Sequence, residues 1–430
     1  MEFIKSIPPL DRRRTFLLIV PVSFLLFLVY FPSTPTNPSP LRYFSSPSSY
    51  FGLGRLEDEP VAVPDAGNRS DSLNSTGSWK EELTRARIAV CLVGGARRFE
   101  LTGPSIVSRI LMEYPNADLF LNSPLDKNSF KFLLLKEAPR IATIRIFRPG
   151  RIPETEMQAR VLTSLNSPKG IQGLLQYFHL VEGCLTLINS HQKRHNFTYD
   201  WIVRTRVDSY WSAPLKPENF IPNRYVVPAG SIFGGLNDRF GVGDFATSSV
   251  ALSRLSLIPF LDSKRLRQLN SEAAFKAQLS TKHVPHTAKR IPFCIVSDRR
   301  YSFPPIRYGV PIAAMSSAGP LSGAKCRPCT PACKGRCVAR VMSGLDRWWS
   351  WTNWENGSLK LCNARGEWEK GWERLFDRVA GKRLSVARKG LVGMTVEDCA
   401  RKLAELREHS GVWDAPSEEE LCKTGLGRNS

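Results

Sequence analysis

The sequence predicts an α/β fold with a mostly parallel sheet flanked by helices. A continuous apolar run at 88–93 and two further short runs rich in apolar residues, at 117–121 and 141–147, have the length of buried strands. From 171 to 188, apolar residues recur every three or four positions, as they do on one face of an amphipathic helix. The segment at 201–205 is the next predicted strand. Alternating strands and helices are typical of a parallel sheet covered by helices.

The chain has 430 residues and is strongly basic. Lys and Arg number 60 and Asp and Glu 39, which gives a formal net charge of +21. Apolar residues make up 42% of the chain, which excludes a wholly disordered protein, a collagen and a multi-span membrane protein. The charge favours a polyanionic neighbour: nucleic acid, anionic lipid, nucleotide phosphates or acidic polysaccharide. The compartment in which the protein works decides among them.

The N-terminus predicts that compartment. Residues 15–31 carry no charge, follow three consecutive arginines and have about the minimum length of a membrane span. We expect residues 1–14 to be a cytosolic tail, 15–31 an uncleaved signal anchor and 32–85 a disordered stem. A cleaved secretory signal is the alternative. The body of this single-pass type II protein then lies in the lumen of the Golgi, attached through one helix, where nucleic acid is excluded as a partner.

A turn of glycines and arginines follows the first predicted strand, with Gly94, Gly95, Arg97 and Arg98 around one alanine. Glycines let the backbone approach a ligand closely, and arginines pair with phosphate oxygens. In sheets of this type, ligands bind beyond the carboxyl ends of the strands. The turn therefore predicts a phosphate contact, and a tight turn with solvated arginines is the alternative.

A second cluster follows the predicted strand at 201–205. Arg204, Arg206 and Asp208 alternate there and share one side if the strand continues. A carboxylate beside arginines stays ionised. At a strand end it can bind Mn²⁺ or Mg²⁺ that bridges a diphosphate. A structural ion pair is the alternative interpretation.

Two later segments add candidate site residues. The glycine-dense loop at 234–244 contains Asn237, Asp238 and Asp244, which supply hydrogen-bonding and acidic groups of the kind that line substrate sites. Glu272 then opens a helix-like stretch, where a helix cap is the alternative to a catalytic role.

Three of these segments, taken in order, carry a family resemblance. The sequences YDWIVRTRVDSYW, GGLNDRFGVGD and SEAAF resemble lumenal glycosyltransferases with the GT-A fold, with R-x-D in place of the usual D-x-D. The whole chain also resembles a plant family of single-span, Golgi-type membrane proteins. The motif resemblance covers about 87–310 and implies a GT-A-like, mostly parallel sheet.

The resemblance implies a nucleotide-sugar donor, expected to be a UDP-sugar, and transfer of a hexosyl or pentosyl group to a glycan or glycoprotein acceptor. It implies that Asp208 holds the metal, Mn²⁺ or Mg²⁺, or the diphosphate, while Arg206 replaces the first acid. Asp244 or Glu272 is then the general base of an inverting reaction, whereas a retaining reaction needs neither. The positions expected to contact the donor are Gly94, Gly95, Arg97, Arg98, Arg204, Arg206, Asn237 and Asp238.

A second hypothesis assigns the chain the same fold but no catalytic activity. In it the chain is a catalytically inactive GT-A-like protein of the Golgi that binds glycans or serves as a scaffold in an enzyme complex. The departure to R-x-D and the tryptophans near the C-terminus favour this hypothesis.

We predict a GT-A-like domain at 86–318 and a Cys/Trp-rich extension at 319–430, with helices near 366–380 and 396–409. Four of the ten cysteines, Cys326, Cys329, Cys333 and Cys337, are spaced closely enough for tetrahedral zinc. Two local disulfides are the favoured interpretation in an oxidising lumen. Six clustered tryptophans form either a sugar-stacking platform or a packed core: Trp348, Trp349, Trp351, Trp354, Trp368 and Trp372.

Overall fold

The computed structural model describes residues 79–165, 167, 169–345 and 358–427. The predicted cytosolic tail, signal anchor and most of the predicted stem lie outside these residues. Within the described ranges, no helix combines the length and apolar character needed to cross a bilayer.

An eight-stranded sheet forms the centre of the fold. Its order is β12-β3-β2-β1-β4-β7-β6-β8, with β1 (Ile88–Val93), β2 (Asp118–Pro124), β3 (Ile141–Phe147), β4 (Trp201–Arg206), β6 (Tyr225–Pro228), β7 (Phe240–Asp244), β8 (His286–Lys289) and β12 (Ser410–Asp414). From β12 to β4 every pairing is parallel, whereas β7 is antiparallel to both of its neighbours. The prediction of a mixed α/β fold with a mostly parallel sheet is confirmed.

Helices cover both faces of this sheet. They are α1 (Phe99–Ile106), α2 (Glu156–Val161), α3 (Gly170–His195), α4 (Phe245–Leu252), α5 (Ile258–Ser263), α6 (Ser271–Thr281), α7 (Arg336–Ser343), α8 (Trp372–Lys389, interrupted at Gly381), α9 (Val396–Glu408) and α10 (Glu418–Leu426). A π-helical turn (Val107–Leu111) extends α1, and 3₁₀ turns occupy Ser129–Glu137 and Pro217–Asn219.

The continuous apolar sequence of β1 reflects burial on both faces. Val90 and Leu92 belong to the core cluster that includes Phe99 of α1, and Cys91 packs in the cluster that includes Val181 of α3. Every residue of β1 is buried. A strand covered by helices on both sides has no solvent face that would require polar alternation.

A second sheet of four strands lies beside the first. Its order is β10-β11-β9-β5, with β5 (Ser209–Trp211), β9 (Phe293–Val296), β10 (Ala313–Ala314) and β11 (Lys325–Arg327). Two residues, Val207 and Asp208, separate β4 from β5, so the chain passes from the large sheet to the small one at this point. Ile295 of β9 pairs with Ser209 on one side and with Lys325 on the other.

The predicted C-terminal extension contributes to both sheets, since it supplies β11 to the small sheet and β12 to the edge of the large one. Its two expected helices are present as α8 and α9. The boundary between residues 318 and 319 stays a prediction.

All ten cysteines are paired, which confirms the expectation of disulfide bonds. The bridges are Cys91–Cys184, Cys294–Cys326, Cys329–Cys362, Cys333–Cys337 and Cys399–Cys422. Of the two local bridges expected within the cluster, Cys333–Cys337 is present, whereas Cys326 and Cys329 bond to partners 32 and 33 residues away. Since all four clustered cysteines are oxidised, they supply no thiolate for zinc.

The Cys91–Cys184 bridge ties β1 to α3 across 93 residues and is fully buried. We expect the double variant Cys91→Ala/Cys184→Ala to lose about 4–5 kcal/mol of unfolding free energy, because a long loop regains much entropy in the unfolded chain. Chemical denaturation measures this loss. The control Cys333→Ala/Cys337→Ala opens a loop of four residues, for which the same entropy model gives about 2 kcal/mol. Equal losses in the two variants would contradict this account of the long bridge.

Candidate functional site

The carboxyl ends of β1, β2 and β4 meet at one edge of the large sheet. The amide of Gly94, directly after β1, donates to the carbonyl of Asn122 in β2 at 3.3 Å. Gly94 has φ of +119°, and a Cβ there would lie 3.2 Å from the Val207 side chain, which follows β4. The turn at 94–98 therefore lies directly beside Asp208, and the missing side chain is what permits this approach.

An ion pair dominates this edge. The Nε and Nη2 atoms of Arg206 each donate to one oxygen of Asp208 at 2.8 Å. Arg97 brings a second guanidinium, with its Nη1 atom 3.9 Å from Oδ2 of Asp208. Burial alone would raise the pKa of Asp208, but the Arg206 guanidinium outweighs burial and holds that pKa below its usual value. Asp208 is thus ionised and paired.

The residues around Asp208 do not fit a divalent cation. Within the described ranges, no group of three or more His, Cys, Asp or Glu side chains is placed to hold a metal ion. Mg²⁺ and Mn²⁺ prefer oxygen ligands, whereas both oxygens of Asp208 already accept from Arg206 and Arg97 adds further positive charge. The surroundings of Asp208 are therefore unsuited to the metal-binding role expected of it.

Two cationic residues that the sequence did not predict for this site, Arg239 and Lys325, lie on the side of the edge that faces the small sheet. Arg239 donates from Nη1 to the carbonyl of Gly323 at 2.7 Å, and the Lys325 ammonium contacts the Tyr301 hydroxyl. Burial, followed by the charges of Arg239, Arg299 and Arg206, lowers the pKa of Lys325 to about 7. Arg239 and Lys325 also line a small recess.

Arg204 and Asp238, both expected to contact the donor, instead lie beneath this edge in a buried polar layer. Arg204 is 1% exposed and donates to the Tyr177 hydroxyl at 3.2 Å. That hydroxyl donates to the carbonyl of Asp238 at 2.9 Å. The Asp238 carboxylate accepts from Ser271 at 2.6 Å and lies 3.5 Å from Arg254. This layer supports the residues above it and does not face solvent.

Glu272 is close to this layer. The cap of α6 is Asn270, whose side chain accepts from the Ala273 amide at 2.8 Å, so Glu272 is not the capping residue. Burial and then the Asp238 carboxylate raise the pKa of Glu272 to about 8, against the opposing charge of Arg239. At neutral pH most Glu272 side chains therefore carry a proton.

Asp244 lies at the opposite end of the sheet. It pairs with Trp201 at the start of β4, whereas Asp208 follows the end of that strand. The length of β4 separates the two residues by more than about 13 Å. Asp244 caps α4 by accepting from the Thr247 amide at 2.8 Å, and it also accepts from the Asn223 amide. The structure does not bring Asp244 to the candidate site.

Asn237 and Arg98, both expected to contact the donor, are bonded to other residues of the chain. The Asn237 amide donates to the carbonyls of Gly230 and Ser322, and its side chain is buried. Arg98 donates to Asp298 at 2.8 Å and stacks 4.3 Å above the ring of Trp368.

Trp372 lies 5.2 Å from the Arg98 guanidinium, so the two described tryptophans of the predicted cluster meet at the edge of the site. The other four lie outside the described residues.

The sequence offers unequal signals for the missed cations. Arg239 belongs to the glycine-dense loop at 234–244, whose predicted site residues are two acids and an amide. Lys325 has no local signal, because only the pairing of β11 with β9 brings it to this edge.

The fold and the site define an α/β protein with a basic edge suited to an anionic ligand. Residues 83–428 match the family model described as Domain of unknown function (DUF7796), so the chain belongs to that family. No curated protein matches the chain.

Removing the Asp208 charge tests the ion pair. We expect Asp208→Asn to lower the unfolding free energy at pH 7 by up to about 3 kcal/mol, because Arg206 and Arg97 lose their counter-charge. This difference in unfolding free energy should have its full size above pH 3.8, the ordinary pKa of an aspartate side chain. It should shrink as the pH falls and wild-type Asp208 takes up a proton. Denaturation at several pH values measures it.

Asp298→Asn is the matched control, because Asp298 forms a more exposed pair with Arg98. The Asp298→Asn substitution should lower the unfolding free energy by less than about 1 kcal/mol. A variant at position 208 that is as stable as the wild type at pH 7 would show that the pair contributes nothing.

Proposed function

We propose that this chain is a GT-A-like glycosyltransferase that moves a sugar from a nucleotide-sugar donor, a UDP-sugar by resemblance, to a glycan or glycoprotein acceptor. The observation that carries the proposal is the basic edge where the parallel strands end. Arg97 and Arg206 lie at the carboxylate of Asp208, and Lys325 lies across from them on the small sheet. Guanidinium and ammonium groups are suited to the oxygens of a diphosphate.

The topology supports this placement. The parallel strands β2, β1 and β4 are neighbours in the sheet, and their carboxyl ends point to the same edge. Ligands of open α/β sheets bind beyond these ends. A donor diphosphate at the turn at 94–98 would satisfy both the charge and the geometry.

The proposed reaction breaks the bond between the anomeric carbon and the diphosphate oxygen and forms a bond to an acceptor hydroxyl. Negative charge then develops on the departing diphosphate, where Arg206 and Lys325 stabilise it. In an inverting reaction the hydroxyl proton passes to a general base. Glu272 is the candidate for that role, because Asp244 lies at the far end of β4. A retaining reaction would not use Glu272 in this way.

The pH profile tests Glu272. The pKa of Lys325 is lowered to about 7, so the loss of its proton should give wild-type kcat/KM a falling limb. The pKa of Glu272 is raised to about 8, so the loss of the Glu272 proton should give a rising limb. Glu272→Gln should lose this limb and lower the transfer rate by about 10²–10⁴-fold. The control Asp244→Asn should keep both transfer and most of the stability, because Asn caps a helix about as well as Asp does. Full activity of the Glu272→Gln variant would show that Glu272 is not the general base.

The enzyme proposal itself is tested by assaying the purified protein with a panel of nucleotide sugars for donor hydrolysis and transfer. Turnover with one donor class would identify the sugar. No turnover with any donor, together with no nucleotide binding, would contradict the proposal.

One observation favours the inactive alternative. Asp208 is already fully paired with Arg206, as expected for a structural ion pair. A protein that binds glycans or Golgi enzymes without transferring sugar would then bind nucleotide weakly or not at all, and Asp208→Ala would leave its glycan binding unchanged.

We also propose that the protein is a type II protein of the Golgi membrane with its body in the lumen. Five disulfides support an oxidising compartment. Asn196 begins an Asn-x-Thr sequon, is exposed and ends α3 with φ of 52°.

In a lumenal protein we expect an N-linked glycan on Asn196, because its side chain projects from an exposed helix end. Mass spectrometry of the native protein before and after treatment with peptide N-glycosidase measures this. Thr198→Ala, which keeps Asn196 and removes the sequon, should abolish the modification. An unmodified Asn196 in protein from its natural membrane would count against lumenal placement.

A further inference from the structure

We propose that the donor diphosphate binds without a divalent cation, held by Arg97 and Arg206 on one side and by Lys325 on the other. This inference rests on the proposed function and specifies the chemistry of its donor site. A diphosphate carries several negative charges, which a metal ion neutralises in many enzymes of phosphate chemistry. Here side-chain cations would supply the whole of that neutralisation.

Arg206 has donors left after pairing with Asp208. A guanidinium carries five N–H groups in a planar fork, and two of these groups bind Asp208. The Arg206 side chain is 28% exposed, so part of it is open to a ligand. Asp208 then acts as the residue that orients Arg206. Its carboxylate is not left free to attract a metal ion.

Arg97 completes the first side. Its side chain is 59% exposed and its guanidinium faces Asp208. The backbone of Arg97 has φ of 23°, a conformation that non-glycine residues rarely adopt. The Lys131 ammonium donates to the Arg97 carbonyl at 2.8 Å and helps to hold it. Strained backbone of this kind is concentrated at ligand sites.

Lys325 lies on the second side, and the strand pairing of the small sheet fixes its distance from the first side. Ile295 pairs with both Ser209 and Lys325, so Lys325 lies two strand spacings, about 10 Å, from the residue that follows Asp208. The adjacent Cys294–Cys326 bridge cross-links β9 and β11 and fixes this spacing. The gap between the two sides is therefore built into the small sheet.

The positive charge of Lys325 is only partly compensated. Across the described part of the chain, no carboxylate lies within ion-pair distance of its ammonium. The repulsion of Arg239, Arg299 and Arg206 outweighs the attraction of the more distant Asp208. A buried cation among cations costs free energy unless an anion joins it. A diphosphate between the two sides would supply that anion, whereas a divalent cation would add to the repulsion.

The test is calorimetric titration of the full-length protein in detergent with UDP, GDP and ADP, with EDTA or with Mn²⁺. We expect at least one nucleoside diphosphate to bind, with a Kd that changes less than twofold between the two conditions. Binding that requires Mn²⁺ would overturn the metal-free site and leave the proposed function standing. Failure of all three nucleotides to bind under both conditions would contradict the proposed function itself.

Variants test the residues that we assign. Lys325→Met should weaken binding of the nucleoside diphosphate by at least tenfold and affect the matching monophosphate less, since the monophosphate lacks the second phosphate. Lys325→Arg keeps the charge and should bind within a few-fold of the wild type. Lys193→Met, at an exposed position on α3, is the control for an equal change of net charge and should bind normally.

Thermal denaturation of each variant shows whether it is folded. Normal diphosphate affinity in folded Lys325→Met would remove Lys325 from the site.

Discussion

The side chains of Arg206 and Asp208 pair where the chain leaves the large sheet and enters the small one. This pair sets the electrostatic character of the whole edge, because it uses the carboxylate that a metal ion would need and leaves part of a guanidinium free. The glycine turn after β1 then brings Arg97 to the same carboxylate. An acid in a D-x-D position would attract cations, whereas the R-x-D arrangement attracts anions.

The rest of the fold keeps these cations together despite their repulsion. The Cys91–Cys184 bridge fastens the strand that carries the glycine turn to α3, and the Cys294–Cys326 bridge fastens the two small-sheet strands beside Lys325. Below them, the Tyr177 hydroxyl accepts from the buried Arg204 and donates to the carbonyl of Asp238. Because buried unpaired charge is costly and native stability is small, this cross-linking offsets a cluster that would otherwise favour unfolding.

The sequence predicted what depends on local pattern. The apolar runs located β1 and β3 residue for residue, and the helical period located α3. Strand directions and contacts between distant parts of the chain could not be predicted from the sequence. Asp244 ends a strand, but β7 runs antiparallel to β4, so its carboxyl end lies at the other edge. The partners of Cys326 and Cys329 depend on strand pairing and loop closure, and Lys325 reaches the site only through the small sheet.

The central claim is that an anion occupies the gap between the Arg206–Asp208 pair and Lys325. A crystal structure of the protein grown with both UDP and Mn²⁺ tests this claim most directly. The account predicts diphosphate oxygens in contact with Arg206 and Lys325, with the two bonds between Arg206 and Asp208 intact. A manganese ion bound to Asp208, with Arg206 displaced, or a nucleotide located elsewhere would contradict it.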